Sequence, residues 1–394
     1  MNSVFIWSSL PEHILVNIFS HLPIGDRLNA AVVCKNWHDS FDSPYLWHSF
    51  TFSFTQSTDS VQLNFLNKYA RHLRQVEILC DQTSKENCSR SSQVLSHLAQ
   101  INERRLETLA IEFTKENPLF FRGEEFLCSL AELFGPADPK NRVVYTLKSV
   151  HLNHLSVTLE GILLNLLADN HQTIHTLNIQ NQSLTCLIHS NCMLNFVTKC
   201  RQLQRLSCFY KSLSKEVFEA LVQLDRRPLK YLSIGCRREN KYHVEIPESA
   251  WESLVRSSPD LVVNIDFDHT IEKHRIRRIL CPPIPLTQLS MTTMTELHEE
   301  VQLVADYFHE SLEKLVITTK GTADLKRELL RLVSMSLNLK VLHCFCALDV
   351  ETINQIQVLR PELSDTILKT AEEFEEEGRT LIGRDATNSL INGP

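Results

Sequence analysis

The sequence predicts an α/β fold in which a small three-helix unit at the N-terminus precedes a solenoid of strand–helix repeats sharing a curved parallel sheet. Three observations predict it. An apolar stretch of helical period stands near the start of the chain. A short apolar signature recurs ten times from residue 73 onward, and a helix-like stretch precedes each recurrence.

Bulk properties set the frame. The 394 residues are 43% hydrophobic and 22% charged, which suits a folded chain long enough for a small domain plus a repeat array. A net charge of -7 gives no pull toward a polyanion, so no nucleic-acid partner is expected. No uncharged apolar run approaches the roughly 18–20 residues of a membrane span, so no membrane partner is expected either. No charged-then-apolar leader opens the sequence, and the expected location is cytoplasmic, nuclear or both. The twelve cysteines are scattered and read as reduced thiols. Nine glycines are too few to favour a phosphate-cradling loop.

The first element is "LPEHILVNIFSHLP", Leu10 to Pro23. Leu15, Ile18, Phe19 and Leu22 form one helical face that Ile14 widens; Pro11 suits the first turn, and Pro23 followed by Gly25 ends the helix. Asp26 is expected to cap a second helix. Val33, Trp37 and Phe41 follow at four-residue intervals on one helical side, before Pro44 breaks the pattern ahead of Leu46 and Trp47, which makes two or three short helices in all. About 45 residues bury little apolar surface alone. The apolar face therefore either docks on the rest of this chain or serves as a socket for another protein's helices.

The order Leu-Pro, Ile-Leu, Ile-Phe-x-x-Leu, Val-Cys-x-x-Trp and Leu-Trp resembles the F-box, the module that attaches ubiquitin-ligase adaptors to Skp1. It is carried here by Leu10, Pro11, Ile14, Leu15, Ile18, Phe19, Leu22, Val33, Cys34, Trp37, Leu46 and Trp47. The resemblance implies that these residues, Cys34 aside, form the Skp1-binding set, with Val33 and Trp37 also holding the box together. The box is placed at residues 5–50.

The repeat signature is apolar-x-x-apolar-x-apolar: Leu73-Val76-Ile78 is the first instance and Leu339-Leu342-Cys344 the tenth. Successive starts are 33, 41, 27, 29, 26, 33, 24, 26 and 27 residues apart, mostly near the 20–29-residue period of leucine-rich repeats, with longer gaps as insertions. Amphipathic stretches such as "LEGILLNLLADN", "KEVFEALVQL", "HEEVQLVADYF" and "LKRELLRLVSM" supply the helices. A single strand–helix unit cannot bury its own apolar side, so stacking makes the core. The Asn common after each strand in such repeats is absent, that position reading Asp81, Thr114, Lys211 and Arg237. An ordinary α/β domain with parallel strands is the structural alternative. The array is placed at 60–362 and an acidic, polar tail at 363–394, expected as a frayed helix followed by disorder.

A box before such repeats is the layout of the F-box proteins with leucine-rich repeats, and "KENPLF", "PESAWESL" and "LHCFC" resemble segments found in that group. The resemblance implies a non-catalytic adaptor with Skp1 as direct partner, cullin-1 and a RING subunit reached through it, and a protein substrate held by the repeats. A leucine-rich-repeat binding or inhibitor protein with no ligase role is the alternative. Strand side chains alternate between core and concave surface, and Phe209, Tyr231, His343 and Phe345 are the candidate substrate-binding residues.

No catalytic residue, cofactor or metal is expected. His-Glu-x-x-His, Gly-x-Ser-x-Gly, Gly-x-x-x-x-Gly-Lys and Gly-x-Gly-x-x-Gly are all absent. Cys344 and Cys346 near His343 sit one residue apart, a spacing that favours a strand face over a zinc site. "HRIRRIL" reads as the solvated side of a helix whose Ile276, Ile279 and Leu280 are buried, or as a small basic patch.

Overall fold

The computed structural model describes residues 7–56, 62–101, 104–115, 123–136, 147–183, 186–238, 245–370 and 373. The chain divides into two compact units, residues 1–187 and 188–394.

The first unit begins with helices α1 (Glu12–Ser20), α2 (Ile24–Ala31) and α3 (Lys35–Phe41), then a 3-10 turn at Pro44–Trp47. Pro23 precedes α2, so Asp26 lies inside its first turn, facing the positive end of the helix dipole, and does not cap it. Strands β1 (Ser49–Phe54), β2 (Gln75–Cys80), β3 (Thr108–Phe113), β4 (Ser149–His154) and β5 (Thr176–Asn178) follow. Each pairs in parallel with the next in chain order. Between them lie α4 (Leu63–Tyr69), α5 (Lys85–Ala99), α6 (Glu124–Phe134) and α7 (Gly161–Asn170).

The second unit repeats the plan. Its strands are β6 (Arg205–Phe209), β7 (Tyr231–Cys236), β8 (Val262–Phe267), β9 (Leu286–Met291), β10 (Lys314–Thr318), β11 (Val341–Leu348) and β12 (Asp365–Thr370). They too pair in parallel in chain order. Its helices are α8 (Ser190–Lys199), α9 (Lys215–Leu221), α10 (Glu248–Ser257), α11 (Lys273–Ile279), α12 (His298–Tyr307), α13 (Ala323–Met335) and α14 (Val350–Leu359). This strand–helix alternation is the leucine-rich-repeat solenoid that the signature predicts.

Both expected boundaries of the array are corrected. A strand stands ahead of residue 60: Phe50 pairs with Val76 and Phe52 with Ile78, so Trp47-x-x-Phe50-x-Phe52 is an aromatic version of the signature. Another stands beyond residue 362, because β12 pairs with β11 where a tail is expected. Residues 371–372 and 374–394 of that tail, and "KENPLF" after Lys115, lie outside the described residues.

A backbone device keeps the repeats in step without an Asn ladder. The Arg74 carbonyl accepts from the N–H groups of Glu107 and Thr108, and the Glu107 carbonyl from those of Lys148 and Ser149. In the second unit Gln204 does the same for Lys230 and Tyr231, and Glu313 for Lys340 and Val341. At strand exits the amides of Asp81 and Thr114 donate to Phe54 and Cys80, so backbone satisfies backbone where a side-chain amide is missing. Arginines clamp neighbouring helix ends: buried Arg104 donates to the Leu98 and Leu133 carbonyls, half-buried Arg226 to those of Val197 and Ala220. These carbonyls lie in the last turn of each helix, where the helix itself supplies few donors.

Candidate partner surfaces

The apolar stripe of α1 has two halves with different neighbours. Leu15 and Phe19 are 0% and 1% exposed, and Val16 is buried with them. Phe19 meets the Trp37 ring edge-on at 5.6 Å, and Trp37 donates its indole N–H to the Trp7 carbonyl at 3.1 Å. Asn36 donates to the Leu10 carbonyl at 2.8 Å, fastening the segment that leads into α1. Ile14 and Ile18, one turn apart on the flank of this stripe, are each 39% exposed. Leu10 and Leu22 are half-buried, and Pro11 is exposed.

Leu46 and Trp47 are core residues, not surface ones. The Trp47 ring stacks on Tyr69 at 3.7 Å, packs against Phe41 and Phe50, and donates its N–H to the Phe41 carbonyl at 2.9 Å. Its place in the first repeat explains the burial: it occupies the position that Leu73 holds in the next. Tyr69 in turn donates to the Asp42 carboxylate, which Lys68 approaches at 2.6 Å. Burial, then the bond to Asp42, pushes the Tyr69 phenol up to about 12. Arg27 closes the unit, donating to the carbonyls of Ser20, Leu22 and Leu46 at 3.2, 2.8 and 3.3 Å.

Val33 does not hold the box together. It precedes α3, which starts at Lys35, and is exposed, as is Val32 at the end of α2. Seven of the seventeen large hydrophobic side chains exposed among the described residues fall between residues 7 and 45: Trp7, Ile14, Ile18, Leu28, Val32, Val33 and Tyr45. Exposed apolar side chains are thus concentrated in this short helical unit. A groove of about 580 Å³ lined by Glu12, His13, Val16, Asn17, Ser43 and Tyr45 runs along another face of α1.

Residues 7–53 match the F-box-like family model. These residues form an F-box-like domain. The chain is also similar over most of its length to F-box/LRR-repeat protein 8 of Homo sapiens, at 26% identity over 365 residues, covering 92% of this chain and 96% of that protein. F-box/LRR-repeat protein 21 of Bos taurus is 29% identical over 274 residues, 66% of this chain and 59% of that one. Among solved structures, the crystal structure of the Rad7 and Elc1 complex in yeast has a TM-score of 0.43 at 13% identity, covering 91% of this chain and 88% of that chain.

The four nominated strand residues in the repeats fare differently. Phe209 is buried, 5% exposed, and this corrects its reading as a surface anchor. It pairs across the sheet with Gly235, which offers no side chain, and the Arg237 guanidinium lies over its ring at 4.4 Å. Tyr231 is half-buried, with Arg205 over its face at 4.3 Å and its hydroxyl accepting from Asn264 at 3.0 Å. His343 Nε2 sits 2.8 Å from the Asp365 carboxylate, and half-buried Phe345 meets the His343 ring at 6.3 Å with Lys369 at 5.9 Å. Asp266 is exposed on the same sheet face, by its register with Gly235 and Ser290. Phe209, Tyr231 and Phe345 are thus each partnered by a cation and His343 by a carboxylate; Arg237 and Asn264 were missed, although a cation near an aromatic strand position, as at Arg237, is a readable sign.

Cys344 and Cys346 both face the core, Sγ atoms 3.3 Å apart, and none of the twelve cysteines is joined in a disulfide. The basic run forms α11, where Arg277 pairs with Glu299 at 3.3 Å and Arg275 and Arg278 lie 3.8 and 3.7 Å from Glu245. Carboxylates therefore neutralise it. Among the described residues no three His, Cys, Asp or Glu side chains cluster as metal ligands, and no helix is long and apolar enough to cross a membrane.

Proposed function

We propose that the protein is a non-catalytic, substrate-recognition adaptor of a ubiquitin ligase of the Skp1–cullin–F-box type. The F-box-like domain holds Skp1, cullin-1 and a RING subunit join through Skp1, and the repeats hold a protein target for ubiquitin transfer. The bare apolar surface concentrated on an F-box-like domain that precedes leucine-rich repeats carries this reading. Tethering raises the effective concentration of target lysines at the transfer site, so the adaptor needs no chemistry of its own.

Within the proposed Skp1 set the roles divide. Ile14, Ile18 and Pro11 make contact, while Leu15, Phe19, Leu46 and Trp47 hold the shape that presents them. Each large side chain desolvated at the interface contributes about 1.5–3 kcal/mol. Tyr231, His343 and Phe345 are the proposed target contacts.

Affinity purification from cells followed by mass spectrometry tests the reading. Wild-type protein is expected to recover Skp1, cullin-1 and the RING subunit with a target, and Ile14→Asp plus Ile18→Asp to keep the target while losing all three. Recovery of a target with no ligase subunit from wild-type protein would instead favour a plain binding or inhibitor protein.

A further inference from the structure

The last long described helix, α14, differs from α13 before it. In α13 the side chains Leu325, Leu329, Leu332 and Val333 are all buried, whereas α14 buries only Thr352 and Ile356. Its Val350, Val358 and Leu359 are 62%, 81% and 43% exposed, and with Leu330 and Asn354 they line a groove of about 670 Å³. Beside it, Leu368 of β12 lies in register with core-facing Cys344 yet is only half-buried. A solenoid whose last unit exposes its stacking face needs a further unit to cover it.

The residues after β12 are arranged to start one. Thr370 Oγ accepts from the Glu373 N–H at 3.3 Å while the Glu373 carboxylate accepts from the Thr370 N–H at 2.8 Å. This reciprocal pair is a capping box, the signature of a helix N-terminus. The same capping position opens helices after earlier strands: Ser84 accepts from Asn87 at α5, Ser214 from Val217 at α9, Thr322 from Leu325 at α13 and Asp349 from Thr352 at α14. In the sequence that follows, Ala371, Phe374, Gly378, Leu381 and Ile382 recur at intervals that share one helical face, and the glutamates at its start suit the helix dipole.

We propose that the exposed face of α14 and the open core edge beside β12 are the docking site of this chain's own next segment, a helix beginning at Ala371 that seats Phe374, Leu381 and Ile382. The acidic stretch thereby closes the array.

Hydrogen exchange on the full chain tests this, compared with Val350→Glu plus Val358→Glu, whose side chains are exposed and leave folding intact. Peptides spanning 374–382 are expected to exchange at least about tenfold more slowly than an unstructured chain, and to lose that protection in the double variant. Truncation after Glu373 is expected to speed exchange in α14 and β12, and a synthetic 371–394 peptide to restore it. Free exchange of 374–382 in the full chain, or equal protection in the double variant, overturns the proposal. Protection that disappears on dilution together with a dimer seen by light scattering overturns it in favour of a second copy as occupant.

Discussion

The N-terminal helices and the repeat helices are built from the same amphipathic pattern, yet they use it in opposite ways. In α12 and α13 the apolar stripe is consumed: Val301, Val304, Leu329 and Leu332 are all 0% exposed. In α1 the stripe is shared, with Leu15 and Phe19 turned inward and Ile14 and Ile18 left at 39%. A repeat helix has a sheet beneath it and a neighbour beside it, whereas a three-helix unit has too little chain to surround one of its own helices. Hydrophobic spacing identifies a helix face, and the amount of surrounding chain decides how much of that face becomes core.

Removing what the shared stripe rests on should give the largest effect. Trp47→Ala is expected to cost about 3–5 kcal/mol, because the ring joins the box to the first repeat and no neighbour can fill the space. Urea denaturation measures it, and a loss below 1 kcal/mol would erase the distinction between the buried and the offered half. Arg27→Met, which removes three hydrogen bonds to carbonyls, should cost about 1–2 kcal/mol, less than fully buried charged bonds because the side chain is half-buried.

The repeat interior can be probed by pH. Burial, then the nearby Arg104 charge, lowers the His171 imidazole from 6.5 to about 3. Below pH 6.5 the unfolded chain takes up a proton that the folded chain refuses, so stability falls as pH drops toward 3. Between pH 7.5 and 5.5 the His171 share of that fall is about 1.4 kcal/mol, and His171→Gln should remove it from the urea midpoints. The smallest effect belongs to the offered half: Ile14→Ala plus Ile18→Ala should change folding stability by less than about 1 kcal/mol.

Most of the fold was legible because the signature reports side chains that alternate into a core, and ten strands follow it. The first strand was hidden since Trp47, Phe50 and Phe52 replace the aliphatic residues and Trp47 also belongs to the box pattern. The last was hidden because Thr366 stands where Leu342 stands in β11. The box face was legible as a helix stripe but not its division, which depends on Trp37 and Trp47 folding back from later in the chain. Val33 was misplaced because spacing alone cannot show that α3 begins two residues after it. Phe209 read as an anchor, since neither Gly235 opposite nor Arg237 above it is a neighbour in sequence.

Calorimetric titration of purified Skp1 into wild-type protein and into the Ile14→Ala plus Ile18→Ala variant, with thermal melting of both, tests the division most directly. The account predicts Skp1 affinity weakened about 30-fold or more with an unchanged melting temperature. Equal affinity in a variant that melts like the wild type would contradict it.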